Sequence, residues 1–599
     1  MTYHYEKPDN LVELIETSVA KYPDNPLFGT KNGSGEYEWM TYREAGTRID
    51  NLRAGLAQLG IGRGDAVGII ANNRAEWPIT AFATYGLGAR FIPMYEKELV
   101  RIWKYIIRDG GIRVLLVATP EIYRQVQQFR DEVPGLEHVF VIGDEGDHTM
   151  AALERRGSEK PVPALRPRPD DIAVLIYTSG TTGNPKGVLL SHGNFTSNFL
   201  GGAKLFPDLK ENERALSILP WAHSFGQTGE LYLFIHIGGS IGFMEKVSTL
   251  VSDMEKVRPT FLIAVPRVFN KIYDGLWQQI STKGGLAKKL FVMGIGAGKK
   301  RRELSEKGGQ PDLLTRLGFK IADAVVFSRI RQKFGGRLKG ALSGSATMNV
   351  EIGHFFSDLG IPVYDCYGLT ETTPAVTMNS PGAHRPGSVG RPIDQVKVVI
   401  DKFFTEEGFD DGEIVVYGPN VMHGYHNNPD ATREVMTDDG GFRTGDRGRV
   451  DKDGYLFITG RIKEQYKLEN GKYVFPSALE EEIKLVSWVE NAMIYGEGRA
   501  YNICLVIPDF GVLEKYAREH NLETDPGALV KNPQVQEMIR NAISSSLKGK
   551  FGGYEIPRKY IFLSEDFSLD NGMLTQTMKL KRRAVLGQYM QDIEGLYVR

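Results

Sequence analysis

Eleven consecutive residues, Tyr177-Thr178-Ser179-Gly180-Thr181-Thr182-Gly183-Asn184-Pro185-Lys186-Gly187, hold three glycines, four aliphatic hydroxyls and one lysine. Glycine allows tight turns that aim backbone N–H groups at an anion, and the hydroxyls add donors. Lys186 adds a positive charge on a flexible stem. The set suits a polyphosphate, although alone it also reads as a solvated Ser/Gly turn. A P-loop of the G-x-x-x-x-G-K-[ST] form is excluded, because Pro185 and not glycine precedes Lys186.

Three further clusters carry chemistry. Tyr367-Gly368-Leu369-Thr370-Glu371 offers an aromatic face for a purine and a hard oxygen ligand, Glu371, for Mg²⁺ held by phosphates. Thr444-Gly445-Asp446 places a carboxylate in a glycine turn, where it can accept hydrogen bonds from a ribose diol, and Arg461 follows fifteen residues on as a second contact. Leu574 to Arg582 is a basic run containing Lys579. Each taken alone also reads as a surface turn or a solvated charge.

Short apolar runs of strand length precede these clusters. Ile172 to Ile176 leads into the glycine loop, and Val363 to Cys366 leads into Tyr367. Other strands are expected at Ala66 to Ala71, Ile112 to Ala118, His138 to Ile142, Ala215 to Leu219, Phe261 to Val265 and Val396 to Ile400. Helical spacing lies between them, as in Ile49, Leu52, Leu56 and Leu59 ahead of Gly60. Strands alternating with helices imply parallel α/β layers. From Gly412 the pattern turns β-rich, and Asp453-Gly454 before Tyr455-Leu456-Phe457-Ile458 marks a hairpin. A polar stretch to Lys472 reads as hinge and linker. A small α+β unit follows, with a helix from Pro476 and strands at Asn491 to Tyr495, Ile503 to Ile507 and Tyr560 to Leu563. The expected fold is therefore α/β and multidomain: residues 1–460 as layered α/β subdomains plus a β-rich subdomain, 461–472 as hinge and linker, and 473–599 as a small C-terminal α+β domain.

The 599 residues exceed one core, so two to four domains or subdomains are expected. A net charge of −1 argues against bulk nucleic-acid binding. Two cysteines, Cys366 and Cys504, exclude a disulfide scaffold and a zinc site of usual spacing and favour a reducing cytoplasm. The N-terminal residues lack the basic and apolar regions of a signal peptide, and no run of eighteen apolar residues predicts a spanning helix. Residues 283–337 stand apart, with fourteen Lys/Arg against four Asp/Glu and interleaved Leu and Phe. They read as a solvated helical excursion, as contact with anionic lipid headgroups at the inner face of a membrane, or as contact with the phosphates of a CoA-like ligand. Within them Gly294-Ile295-Gly296-Ala297-Gly298 imitates a dinucleotide fingerprint, but lacks the strand before it and the ribose carboxylate after it.

The glycine loop resembles, nearly residue for residue, the phosphate loop of the adenylate-forming superfamily of acyl-CoA synthetases, luciferases and adenylation domains. Tyr367 to Glu371, Asp446, the Gly460-Arg461-Ile462-Lys463-Glu464 stretch and the Lys579-Leu580-Lys581-Arg582 run follow in the order of that superfamily's motifs, and the likeness covers residues 25–590. Three features are similar to bacterial long-chain fatty acid–CoA ligases: Gly412 to Met422 continuing to Gly424-Tyr425, Lys467 to Val474, and the insertion between Val265-Pro266-Arg267 and Ser343-Gly344-Ser345. Where many relatives have proline, this chain has Gln576.

The resemblance implies ATP, Mg²⁺ and CoA as ligands, a fatty acid as substrate, and a mobile C-terminal domain. It assigns Thr178, Ser179, Gly180, Thr181, Thr182, Gly183 and Lys186 to phosphates, with Glu371 and Thr178 at Mg²⁺ and Thr370 beside them. Gly344, Ser345, Ala346, Tyr367 and Gly368 fall to adenine, and Asp446, Ile458 and Arg461 to the rest of the nucleoside. Lys579 falls to catalysis, Lys463 to the pivot, and Trp221, His223, Phe225 and Gln227 to the acyl entrance. For Trp221 and Phe225 a core aromatic cluster is the other reading. Two rivals stay open: transfer of the acyl group to a carrier protein, and a non-enzymatic nucleotide- or lipid-binding protein. Oligomeric state is not readable.

Overall fold

The computed structural model describes residues 6–143, 146–178, 184–306, 308–346, 348–402, 410–462, 464–568, 570–575 and 580–598. The chain divides into two compact units: residues 1–399, 415–444 and 452–456 form one, and residues 400–414, 445–451 and 457–599 form the other.

The first unit is built on two large sheets. One has six strands in the order His138–Val141, Ile112–Val117, Ala66–Ile70, Arg90–Met94, Ile172–Thr178, Lys186–Ser191. Its neighbours are parallel except for the last pair, which is antiparallel. These strands are near-continuous apolar runs, as a parallel sheet covered on both faces requires; Ala66–Ile70 is buried at every position. The second sheet has nine strands, in the order Arg391–Pro392, Ala375–Met378, Val363–Gly368, Gly340–Ser343, Phe261–Ala264, Arg214–Ser217, Ser240–Phe243, Pro26–Lys31, Tyr37–Thr41. Ser343 is in register with Ala264 on one side and Asp365 on the other. The loops that leave Gly340–Ser343 and Val363–Gly368 therefore start side by side at the carboxyl ends of parallel strands, where ligands of open α/β sheets bind.

Local sequence accounts for the helices. Tyr42–Gln58 opens with Thr41 and Glu44 in a reciprocal capping box, buries Ile49, Leu52 and Leu56, and is followed by Gly60 at φ 77°. The insertion that holds the basic region contains helices Pro266–Lys283, Gly285–Glu306, Leu313–Ala322 and Ser328–Lys333. Its glycine triplet lies inside the second of these helices, not at a strand-to-helix turn. A Cβ on Gly294 would lie 2.5 Å from Ala322 Cβ, so this glycine admits a neighbouring helix and not a phosphate.

Strands Lys397–Asp401, Gly412–Tyr417, Phe442–Val450 and Leu456–Arg461 pair in chain order, with Gly454 at φ 83° in the last hairpin. In the second unit, Tyr466–Lys467 pairs with Tyr473–Val474 within the stretch that reads as linker. A three-stranded sheet, Val489–Tyr495, Ile503–Pro508 and Lys559–Phe562, forms its centre. The middle strand alternates: Cys504 and Val506 pack with Leu479 and Ile539, while Ile503, Leu505 and Ile507 pack with Val585 and Ile593. A period of two thus fills two small cores on opposite faces.

Candidate active site

Thr178 ends its strand directly opposite Lys186 in the antiparallel pair, so the two ends of the glycine loop are held together. Ser179, Gly180, Thr181, Thr182 and Gly183 lie outside the described residues. The Lys186 ammonium sits over the ring of Tyr425, 4.9 Å from its centroid. The Tyr425 hydroxyl donates to Glu371 Oε1 at 2.9 Å. Residues 422–426 are brought there by backbone bonds: His423 N–H to Leu189 O, Leu189 N–H to Gly424 O, His426 N–H to Gly187 O and Met422 N–H to Glu371 O, all at 2.7–3.0 Å. Burial, and then the Glu371 carboxylate beside it, push the Tyr425 phenol far up, so it remains a donor. One tyrosine thereby joins the loop lysine to the carboxylate nominated for Mg²⁺. Lys186 also lines a polar cavity of about 250 Å³ with Tyr105, Asp109, Asn184 and His426. There Tyr177 donates to Asp109 Oδ2 at 2.6 Å.

Glu371 lies in the single turn Thr370–Thr372 that follows strand Val363–Gly368. Thr370 is buried and accepts from Ser224 Oγ at 3.4 Å. Gly344 is buried where no side chain fits: a Cβ there would lie 2.9 Å from both Cys366 Sγ and the Phe225 ring. Ser345 follows at φ 72°, an unfavourable region for a residue with a Cβ, and Ala346 is exposed. Tyr367 is half-buried on the neighbouring strand, and Gly368 meets Pro374 O so closely that only glycine fits. The structure thus brings Phe225, Gly344 and the Tyr367 turn together.

The acyl candidates divide. Trp221 is fully buried among Phe28, Trp77 and Phe243, and its indole N–H donates to Glu230 Oε1 at 2.8 Å. Gln227 is also fully buried; its amide donates to Trp221 O at 2.7 Å, and its Oε1 accepts from Tyr232 OH at 3.3 Å. Both belong to the core. His223 is half-buried, with Nδ1 accepting from Phe225 N–H at 3.2 Å. Glu230 was not expected from sequence. Burial raises its carboxyl to about 8, against the opposing hydrogen bonds from Ser217 and Trp221.

In the second unit, Arg461 Nε lies 3.0 Å from Asp446 Oδ1. Gly445, at φ 69°, turns the chain so that its O accepts from Ile462 N–H at 2.9 Å, which fixes the spacing of the pair. Ile458 is half-buried on strand Leu456–Arg461. At the C-terminal basic run, Arg582 Nη2 bonds Glu480 Oε2 at 2.5 Å and Nη1 donates to Ile494 O at 3.1 Å. Leu574 bridges Leu580, and Lys581 N–H donates to Met573 O at 2.8 Å. Lys579 and Lys463 lie outside the described residues.

No group of three or more His, Cys, Asp or Glu that could hold a metal occurs among the described residues. A lone carboxylate such as Glu371 nevertheless fits Mg²⁺ carried in by ATP, which takes one or two carboxylates and fills its shell with phosphate and water.

Residues 15–426 match the family described as AMP-binding enzyme, and residues 463–599 match the AMP-binding enzyme C-terminal domain. The chain is 31% identical to the long-chain-fatty-acid–CoA ligase FadD15 of Mycobacterium bovis, over 98% of this chain and 97% of that one. It is 30% identical to long-chain-fatty-acid–CoA ligase 6 of Mus musculus, over 100% of this chain and 88% of that one. Among solved structures, the adenylation domain of a Mycobacterium chelonae carboxylate reductase superposes with a TM-score of 0.77 at 23% identity, covering 99% of this chain and 92% of that one. The anthranilate CoA ligase AuaEII, in complex with anthranoyl-AMP, gives 0.74 at 20% identity, covering 97% and 98%. These two likenesses show the fold.

Proposed function

The chain belongs to the AMP-binding enzyme family, and on that premise we propose that it is an ATP-dependent, AMP-forming long-chain fatty acid–CoA ligase. The observation that carries this reading is the joining of Lys186 and Glu371 by Tyr425 beside the glycine loop, in a chain similar over its whole length to such ligases.

A carboxylate is a poor acyl donor because oxide would have to leave. In the proposed first step the fatty carboxylate attacks the α-phosphorus of ATP and pyrophosphate leaves. In the second, the CoA thiol attacks the acyl carbon and AMP leaves. The protein's task is positioning and stabilisation of the charge that grows on phosphoryl oxygens. We assign residues 178–186 to the β- and γ-phosphates, Glu371 with Thr178 to the Mg²⁺ side, and Lys579 to the α-phosphate. Mg²⁺, when bound, neutralises charge on the leaving pyrophosphate. Gly344 to Ala346 and Tyr367 are assigned to adenine. Asp446 and Arg461 are assigned to ribose, with Ile458 beside them. No general base is required, since the incoming carboxylate is already ionised. His223 and Phe225 are assigned to the acyl entrance. The burial of Trp221 and Gln227 favours a supporting role for them behind it. Lys463 is assigned as the pivot that lets one centre serve both half-reactions.

The test is AMP release with palmitate in the presence and absence of CoA, followed by a chain-length scan. A ligase needs CoA for turnover; a carrier-protein adenylating enzyme does not respond to it. A chain-length optimum among short or aryl acids would remove the long-chain part of the reading.

A further inference from the structure

Half of the large apolar side chains that are exposed among the described residues lie between Leu286 and Val325. Leu313 is 79% exposed, Leu314 81%, Leu286 72%, Leu317 53% and Ile321 42%. On helix Leu313–Ala322, Leu313, Leu317 and Ile321 recur every four residues and so share one face. A solvent-facing helix normally shows its polar side there. The opposite side is already used: Ala322 and Phe327 pack on Gly294 of helix Gly285–Glu306, and the Arg301 guanidinium lies 4.2 Å over the Phe319 ring. Nothing among the described residues covers the outward stripe. Exposed patches of this kind mark interaction sites.

We propose that the outward face of helices Gly285–Glu306 and Leu313–Ala322 is a docking surface for an anionic lipid bilayer. Charge selects this occupant. Residues 283–337 carry an excess of ten positive charges in a chain of net −1. Several are consumed internally: Arg302 pairs with the buried Asp358, Lys300 with Asp312 and Arg331 with Asp323. Lys288 and Lys289 are exposed close to the exposed Leu286 at the start of helix Gly285–Glu306, and Lys320 is exposed directly before Ile321. A second copy of the same basic face would repel this one, whereas anionic headgroups attract it and leave the leucines to enter the acyl boundary. A chain whose substrate partitions into bilayers gains a source of that substrate at the surface, but the docking face stands without that reading.

The experiment is flotation of the full chain with vesicles of phosphatidylcholine alone and of equimolar phosphatidylcholine and phosphatidylglycerol, at low and high salt. Two variants are compared: Leu313→Ser with Leu314→Ser and Leu317→Ser, and Lys288→Gln with Lys289→Gln and Lys320→Gln. All six side chains are exposed, so unchanged thermal unfolding and unchanged acyl-CoA formation from micellar substrate serve as fold controls. The parent is expected to float with anionic vesicles, and more weakly at high salt. The lysine variant should lose about a hundredfold in partitioning, from about a fivefold loss for each of its three lysines near an anionic surface. The leucine variant should lose at least as much, at both salt concentrations. Equal flotation of parent and both variants overturns the proposal, as does equal binding to neutral vesicles. If light scattering shows a parent dimer that the leucine variant abolishes while no vesicle binding occurs, the face is a self-association surface and the proposal falls.

Discussion

Tyr425→Phe removes a single oxygen from the centre of the candidate site and leaves the ring in place. The parent hydroxyl donates to the Glu371 carboxylate at 2.9 Å, and the Lys186 ammonium rests on the ring face 4.9 Å from its centroid. The phenylalanine retains the second contact and loses the first. A hydrogen bond to a charged group contributes about 1.5–3 kcal/mol. Glu371 is half-buried, so water recovers part of this, and a net loss of about 1–2 kcal/mol is expected. The loss should appear where Glu371 acts, as a rise of about tenfold in the Mg²⁺ concentration that half-supports ATP binding. Isothermal titration of ATP at stepped Mg²⁺ reads this without turnover, and pyrophosphate exchange gives the matching rate. Tyr425→Leu, which also removes the ring under Lys186, should weaken ATP binding further even at saturating Mg²⁺. If Tyr425→Phe binds Mg·ATP as the parent does, the hydroxyl does not orient Glu371 and the reasoning fails.

The buried Glu230 makes stability depend on pH. Its folded carboxyl is raised from 4.5 to about 8, so between those values the folded chain keeps a proton that the unfolded chain has released. Its contribution is full below about pH 4.5 and falls by about 1.4 kcal/mol per unit as pH rises toward 8. Glu230→Gln should flatten that part of a urea-denaturation pH series; an unchanged slope would refute it. Arg582→Met leaves the buried Glu480 without its partner and should cost about 3–5 kcal/mol, whereas adding Glu480→Leu should recover most of the loss. Denaturant melts of the single and double variants check this, and an equally unstable double variant would contradict the pairing. Lys579→Ala should slow adenylation by about 10²–10³ while thioester formation from supplied acyl adenylate survives. Equal loss in both half-reactions would withdraw the assignment.

Strands were readable because burial on both faces demands unbroken apolar runs. Ile172 to Ile176 and Ile503 to Ile507 therefore announce themselves, and the observed strands differ from expectation by a residue or two at their ends. The motifs named residues by type and order. What they could not supply was long-range approach. Tyr425 reaches Glu371 because residues 423–426 run beside 187–189, more than two hundred positions earlier. In the sequence Tyr425 stands out only as the end of the stretch similar to long-chain ligases, with nothing local that points to Glu371. Trp221 and Phe225 are both aromatic and both follow a strand, yet one sits in a ring cluster and the other against Gly344. Sequence cannot separate core from pocket when both require the same apolar chemistry. The basic insertion shows the same limit. Lys299, Lys300, Arg301 and Arg302 look alike in the sequence, but Arg302 is tied to a buried aspartate, Lys300 to Asp312, and Arg301 to an aromatic ring.

The proposed function requires one chain to make an acyl adenylate and then pass the acyl group to CoA. A single-turnover experiment with enzyme in excess, labelled palmitate and Mg·ATP tests it most directly. Without CoA, a burst of pyrophosphate and an equal amount of enzyme-bound palmitoyl-AMP are expected. Addition of CoA should convert that pool to palmitoyl-CoA and AMP faster than it decays by hydrolysis. Palmitoyl-CoA formed with no adenylate intermediate, or an adenylate that CoA does not consume, would rule out this two-step ligase.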